Sequence, residues 1–276
     1  MSILVTPQEE TIVPEPAEVW FANPPLTETD TEAPAWYREM QEKSWARYHE
    51  LPVPTRKNQD WRFADLKKIR FTDLAPADPA TDPAALVARA MTGRPENFAA
   101  HFVFANNRLI YSETADLPAG AICLPLKEAL ATHGDLVRAH FLQEEKNLGG
   151  DKFAALHGAA TLSGLFVHFP KGCVSEKPVL VHHFSGGEAR AIFPHTLVVA
   201  EDHASVSIVD VFESIAPSEQ TLNVGMVDLF ADRGGKIQYV ALQGLSDNGA
   251  KHVQIHSSRA GRDAAVKVAF LNLGAA

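Results

Sequence analysis

The stretch PHTLVVAEDHASVSIVDVF, residues 194–212, decides the fold class of this chain. Two runs rich in Val, Ile and Leu flank a short polar turn, and polar and apolar residues alternate within Ser205-Val206-Ser207-Ile208. A period of two residues is typical of a strand that buries one apolar face. The stretch therefore predicts two strands joined by a turn.

The same pattern continues over residues 164–276. Turns, several of them containing glycine, separate eight segments with the composition of strands, and no convincing helix interrupts them. Antiparallel sandwiches, barrels and parallel β-helices all satisfy such a pattern, so periodicity alone leaves the three open. The predicted strands are Leu165–Phe169, Pro178–Phe184, His195–Val199, Ser205–Phe212, Leu222–Phe230, Lys236–Leu242, Lys251–Ser257 and Ala265–Leu271.

Alternation within these strands also predicts which side chains share a core. In Ser205–Ile208 and His252–His256 the apolar residues fall on every second position, which places them on one face. Six of them are expected to point into a common core of stacked strands: Val206, Ile208, Val253, Ile255, Val266 and Val268.

The front of the chain has a mixed composition, with helical periodicity and frequent prolines. We expect three regions: a helical region and linker at residues 1–95, a small α/β unit at 96–157, and the strand array at 158–276. The predicted elements are helices at Ala33–Tyr48, Asp60–Ile69 and Pro83–Met91, a strand pair at His101–Ile110 around an Asn-Asn turn, a strand at Ala121–Leu124 and helical segments within Pro125–Phe141.

Composition limits the class of protein. With 276 residues, 46% of them hydrophobic, the chain can bury a large core. A net charge of -9 makes nucleic acid and anionic membranes unlikely partners. Two cysteines exclude a disulfide framework or a four-thiolate cluster within one chain, and they fit a reducing cytosol. Residues 1–25 show neither a signal peptide nor a membrane span.

Histidines are the most numerous candidate ligands, with twelve in the chain. His182 and His183 are neighbours on a predicted strand, so their side chains point to opposite faces. His252 and His256 share a face but lie roughly 13 Å apart, too far to hold one ion. A metal site would have to combine histidines from different turns, where strands are about 4.8 Å apart. We assign no metal ligand and no catalytic residue.

The remaining motifs carry little chemistry. Cys173 follows the turn Pro170-Lys171-Gly172, which makes it the candidate for a reactive thiol beside a positive charge, although an isolated cysteine is usually a small buried apolar residue. The pairs Gly186-Gly187 and Gly234-Gly235 match neither a P-loop nor a dinucleotide fingerprint. No phosphate-binding site is predicted.

Two segments resemble the SufB/SufD family of iron-sulfur cluster assembly proteins. In residues 45–66, a helix ending in Trp-Ala-Arg-Tyr is followed by a Leu-Pro-Val-Pro turn and the element Trp61-Arg62-Phe63. In residues 194–208, the strand His195-Thr196-Leu197 precedes an Ala204-Ser205 turn and a further strand. The resemblance covers essentially the whole chain.

The resemblance implies a mainly β chain, with a right-handed parallel β-helix behind a helical and small α/β N-terminal region. It implies a cytoplasmic subunit that pairs with a SufB-like protein and a SufC-like ATPase. Their complex handles iron-sulfur clusters, with a flavin as a further candidate cofactor. Ser214 stands where the SufB branch has a cysteine, which favours the SufD branch because serine is a poor ligand for iron.

The resemblance also bears on the end of the chain. Family members normally continue through more β-helix into a C-terminal helical region that binds the ATPase. The chain is therefore expected to be a C-terminally truncated member, and self-association through an uncovered β-helix end is expected.

Two functions from different classes follow. The first is a non-catalytic scaffold subunit of an iron-sulfur cluster assembly complex, which binds no cofactor by itself. The alternative is a carbohydrate-active or carbohydrate-binding β-helix or sandwich, which would need aromatic side chains and carboxylates along an exposed groove. Residues 164–276 contain Tyr239 as their only tyrosine and no tryptophan, so we prefer the scaffold.

Overall fold

The computed structural model describes residues 21, 23–24, 33–63, 66, 74–144, 150–217 and 219–274. Most of residues 1–25 and half of the helix predicted at Asp60–Ile69 lie outside the described residues; Gln59–Trp61 form a 3-10 turn. The helices are α1 (Ala35–Glu50), α2 (Pro83–Met91), α3 (Leu126–Thr132), α4 (Gly134–His140) and α5 (Asp151–Ala160).

Thirteen strands are assigned among the described residues, most of them after α5. They are β1 (Ala75–Pro76), β2 (Ala100–Ala105), β3 (Arg108–Thr114), β4 (Ile122–Pro125), β5 (Ser163–Phe169), β6 (Val179–Ser185), β7 (Arg190–Ile192), β8 (Pro194–Ala200), β9 (Ser205–Ser214), β10 (Thr221–Ala231), β11 (Lys236–Gly244), β12 (Lys251–Ala260) and β13 (Ala265–Asn272).

The strands from β5 onward form a parallel β-helix of about four turns. Each turn gives one strand to each of two facing sheets: β5 and β6, β8 and β9, β10 and β11, β12 and β13. Strands of successive turns pair in parallel along both sheets. This pairing confirms the β-helix and rules out the sandwich and the barrel, whose neighbouring strands are antiparallel.

The turns repeat with nearly constant length. The residues Gly164, His195, Met226 and Ile255 stand directly beside one another on successive strands, so the spacing is 31, 31 and 29 residues. One corner of each turn is a residue with a left-handed backbone: Gly172 (φ 72°), His203 (φ 59°), Gly234 (φ 67°) and Asp263 (φ 58°). Backbone hydrogen bonds of 2.8–2.9 Å link these corners along the column.

The lumen between the two sheets holds the main core. Inward-facing Leu, Val and Ile side chains such as Val167, Val198, Leu229 and Ile237 are fully buried there. The first turn is covered by β4, which pairs antiparallel with β5, and by the β2–β3 hairpin, whose β2 pairs with β6. The hairpin turns at Asn106 and Asn107, as predicted, with positive φ at both residues.

Helices α1 and α5 cover the outside of the sheet that contains β10. Leu156 and Phe153 of α5 pack with Val224 of β10 in a second apolar cluster. The buried Lys152 Nζ donates hydrogen bonds to the carbonyl oxygens of Tyr48 (3.1 Å) and Leu51 (2.7 Å), at the end of α1. The last carbonyl groups of a helix have no N–H partner within the helix, and a lysine side chain can donate hydrogen bonds to them.

All eight strands predicted over residues 164–276 are confirmed, as are the helices corresponding to α1 and α2 and the strand pair β2–β3. Helix α5 and the short strands β1 and β7 were not predicted. In α5 the sequence DKFAALHGAA is buried on nearly every side, so it lacks the polar face that marks an amphipathic helix. The region boundaries after residues 95 and 157 stay a prediction.

The expected common core is only partly correct. Val206 and Ile208 lie in the lumen, and Val266 packs against it. Val268 has the same register as Ile208 but is 40% exposed on the last described strand.

The prediction for the other two residues is wrong. Val253 and Ile255 face outward, against the cluster beneath α5. Both faces of β12 are covered, so alternation identifies two sets of residues but not which set faces the lumen. The polar set, which includes His252 and His256, takes the inward positions.

The corner column yields a stability test. Gly234 has φ +67°, and a Cβ added there would lie 2.4 Å from His203 Nδ1. Left-handed backbone costs an L-residue about 1–2 kcal/mol, so Gly234→Ala should lower the free energy of unfolding by at least that amount in urea titrations. The control is Gly244→Ala, whose added Cβ would meet its nearest neighbour at 3.7 Å. Equal effects of the two variants would contradict this account of the corner.

Candidate functional site

The β-helix carries a polar cluster inside its otherwise apolar lumen. Along β9 the inward positions are Val206, Ile208, Asp210 and Phe212, so the alternation of the strand itself directs a carboxylate inward. Asp210 is fully buried. A buried carboxylate needs compensating partners, because burial alone costs several kcal/mol.

Side chains from three successive turns supply those partners. Asp210 Oδ2 accepts hydrogen bonds from the Tyr239 hydroxyl at 2.7 Å and from Thr196 Oγ1 at 2.9 Å. Asp210 Oδ1 lies 3.2 Å from Nε2 of His183. Burial acts to raise the pKa of Asp210, but attraction to His183 and the hydrogen bonds outweigh it, and the pKa lies below its usual value. The carboxylate is therefore ionised at neutral pH.

The neighbouring groups are fixed in single orientations. The His183 ring is stacked between Phe104 and Phe212, with ring centroids 5.3 and 5.1 Å away. Burial, followed by the charge of Asp210, raises the pKa of Tyr239 well above its usual value, so the hydroxyl stays protonated and continues to donate. The arrangement binds a charge firmly but presents no activated nucleophile.

The fourth turn adds a second polar group inside the lumen. His252, Gln254 and His256 of β12 face inward, and Gly225 of β10 leaves room for Gln254, since a Cβ at Gly225 would lie 2.0 Å from Gln254 Oε1. Burial lowers the pKa of His252 and of His256 to about 4, so both rings are neutral at pH 7. Ser185 and Asn223 form a further pair at 2.5 Å.

A third polar group lies outside the lumen, beneath α5. His157 Nδ1 donates to the Val224 carbonyl at 2.7 Å, and its Nε2 lies 3.1 Å from Nδ1 of His195. His195 Nε2 is 3.6 Å from Asp228 Oδ2, which also accepts the backbone N–H of Leu142 at 3.1 Å. All three side chains are fully buried. They anchor α5 and the end of α4 to the sheet.

Several sequence-based predictions about individual residues can be compared with the structure. His182 and His183 do point to opposite faces, His183 into the lumen and His182 outward. His252 and His256 do share a face of β12. Ser214 ends β9 and accepts the N–H of Ser246 at 2.9 Å. Tyr239 is fully buried in the lumen, so it offers no platform for stacking a sugar.

The cysteines are less reactive than free thiols. Burial, followed by the proximity of Cys173, raises the pKa of Cys123 to about 12. Burial also raises the pKa of Cys173, which is partly exposed after the Gly172 turn. The pKa of Cys173 is thus raised by burial and not lowered by the neighbouring positive charge that was expected to activate the thiol. The two residues, far apart in sequence, both adjoin the first turn of the lumen.

Within the described ranges, no group of three or more His, Cys, Asp or Glu side chains is arranged to hold a metal ion. Among the same residues, no helix has the length and apolar character needed to cross a membrane. The polar groups found instead connect one turn of the β-helix to the next. These contacts stabilise the fold.

Comparison with known proteins identifies the family. Residues 27–181 match the family model described as the SufBD protein N-terminal region, and residues 183–276 match that of the SUF system FeS cluster assembly SufBD core domain. The chain therefore belongs to the SufB/SufD family.

Individual relatives agree with this assignment. The chain is 25% identical over 254 residues to the iron-sulfur cluster assembly protein SufD of Bacillus subtilis, covering 86% of this chain and 55% of that protein. It is 22% identical over 236 residues to SufB of the same organism, covering 79% and 49%. A SufBD family protein of Staphylococcus epidermidis is 26% identical over 129 residues, covering 47% and 28%. The chain spans about half the length of the first two relatives.

The interior carboxylate yields a second test. Asp210→Ala would leave the hydroxyl of Tyr239 and the ring of His183 buried opposite a cavity, and removing one partner of a buried charged pair costs about 3–5 kcal/mol. We expect the free energy of unfolding to fall by that amount in urea titrations. The control is Asp232→Ala, an exposed carboxylate in a turn. A loss below 1 kcal/mol for Asp210→Ala would contradict the role given to this side chain.

The inward histidines of β12 predict an acid-sensitive stability. Their folded pKa values of about 4 lie below the unfolded value of 6.5. Between pH 6.5 and 4 these rings are protonated in the unfolded chain but neutral in the folded chain. The free energy of unfolding therefore falls as the pH falls, by up to about 1.4 kcal/mol per pH unit for each ring. Replacing both His252 and His256 with Gln should flatten the fall in unfolding free energy measured from pH 7 to 4. An unchanged slope would refute the assignment.

Proposed function

We propose that the chain is a non-catalytic scaffold subunit of a cytoplasmic iron-sulfur cluster assembly system. The observation that carries the proposal is the match of both family models along the chain, together with a β-helix whose polar side chains are committed to holding its turns together. Such a framework presents surfaces to partners and contributes rigidity. It needs no reacting group of its own.

The proposed partners are a SufB-like protein and a SufC-like ATPase. Support comes from the two Bacillus subtilis relatives, one named SufD and the other SufB, which share this chain's sequence over most of its length. The chain spans about half of each of these relatives. Iron-sulfur clusters are the proposed cargo of the complex.

The proposal predicts that the isolated chain holds no stable cluster and hydrolyses no ATP. Stable clusters require several thiolates, and this chain has two cysteines, one of which has a pKa of about 12. After anaerobic treatment with iron and sulfide, followed by desalting, the absorption spectrum from 350 to 500 nm should be that of untreated protein. A brown product that survives desalting would contradict the proposal.

Partner binding is the direct test of the scaffold. A tag placed at the native chromosomal locus should co-purify a SufB-like protein and a SufC-like ATPase from the organism's own extract, whereas the untagged strain should yield neither. The tagged 276-residue form expressed alone should bind the ATPase much more weakly than the product of the native locus if that product is longer. Recovery of neither partner from the native locus would refute the proposed function.

A further inference from the structure

A second pair of histidines whose ring nitrogens lie within hydrogen-bond distance is found on the outward face of β2 and β6. His101 on β2 and His182 on β6 lie diagonally across two paired parallel strands, since His101 stands beside Leu180 and His182 beside Val103. Nε2 of His101 lies 3.0 Å from Nδ1 of His182, and the ring centroids are 5.1 Å apart. This pair lies outside the lumen, beside the first turn.

Both rings are neutral at pH 7. Burial, and then the charge of Arg94, lowers the pKa of His101 to about 4. Burial, and then the neighbouring ring of His101, lowers the pKa of His182 to about 4. A metal ion binds the neutral form of imidazole, so it has no proton to displace from a charged ring at this site.

We propose that His101 and His182 form a binding site for a divalent first-row transition-metal ion of the class Zn²⁺, Co²⁺, Ni²⁺ or Cu²⁺. Imidazole nitrogens suit these ions and bind them at about 2.0–2.1 Å. Two nitrogens at that distance from a tetrahedral ion are roughly 3.3 Å apart. The observed 3.0 Å is close to that value, and binding requires both rings to turn until their lone pairs point to one ion.

The site has two protein ligands and open positions. No group of three or more potential ligands converges within the described ranges, so the other coordination positions go to water or to a small ligand. Closed structural sites have four protein ligands, whereas open sites keep positions free for exchange. The His101 side chain is fully buried and His182 is partly exposed, so an ion and its water ligands would reach the pair from the side of His182.

Arg94 and Glu113 control the proton on His101. Arg94 lies 3.4 Å from Nδ1 of His101 and 2.7 Å from Glu113, which stands directly opposite His101 on β3. Arginine only donates, so Nδ1 is the acceptor and Nε2 carries the proton that points to His182. Metal binding at Nε2 moves that proton to Nδ1, with no net release.

The moved proton needs a new acceptor, and Glu113 is the available carboxylate. A carboxylate that accepts the second ring N–H of a ligating histidine changes metal affinity by about 10–100-fold. In the present arrangement Glu113 is held by Arg94 and by the Tyr111 hydroxyl at 2.7 Å. Arg94 therefore weakens the site, and its removal should strengthen it.

The test is titration of the chelator-treated chain with Zn²⁺ by calorimetry, repeated with Cu²⁺ by electron paramagnetic resonance. We expect one specific site whose Cu²⁺ spectrum shows two nitrogen ligands. His101→Gln and His182→Asn should each weaken binding at least tenfold, and Arg94→Gln should tighten it about tenfold. His133→Gln, which changes a histidine at the junction of α3 and α4, is the matched control and should leave binding unchanged.

Circular dichroism of each variant establishes that it is folded before binding is compared. Three outcomes would overturn the proposal. The first is the absence of a specific site both in the unmodified chain and in Arg94→Gln, and the second is an affinity in the folded His101→Gln or His182→Asn variant equal to that of the unmodified chain. The third is a Cu²⁺ spectrum with fewer than two nitrogen ligands. Weakening by His133→Gln in place of the pair variants would assign the metal to another histidine and would equally refute it.

Discussion

The inward side chains of all four turns share one narrow lumen between two sheets, so the buried carboxylate of Asp210 needs partners from the strands around it. Asp210 meets this requirement with Thr196 on its own turn, Tyr239 on the next and His183 on the one before. The same constraint explains why His183 is enclosed by two phenylalanine rings. Interior polarity therefore links the turns to one another, in addition to the backbone ladders that pair them.

Most of the β-helix was accessible from sequence because strand alternation is a local property. Each of the eight predicted strands over residues 164–276 exists, and Asp210 falls at an inward position by the same count that places Val206 and Ile208 inward. Sequence periodicity could not select the β-helix, since pairing with a distant strand is a non-local property. The resemblance to the SufB/SufD family supplied that choice.

Other features could not be predicted for definable physical reasons. The side of β12 that faces the lumen was assigned wrongly, because both of its faces are covered and only tertiary context separates them. Helix α5 was missed because its polar residues Lys152 and His157 are buried by partners that are distant in sequence. The sequence also contains a repeat that indicates the fold. The spacing of 31, 31 and 29 residues between equivalent positions is the repeat expected of a solenoid.

The polar residues fall into two sets, those that connect elements of the fold and the pair His101 and His182. Groups in the lumen and beneath α5 are enclosed, and Asp210 and Asp228 each lie close to a histidine of another strand. The pair of His101 and His182 lies outside the lumen and differs in its surroundings, because the buried His101 adjoins the partly exposed side chains of Arg94 and Glu113. A rigid β-helix makes such a pair useful, since the parallel ladder fixes the separation of the two strands and hence of the two rings.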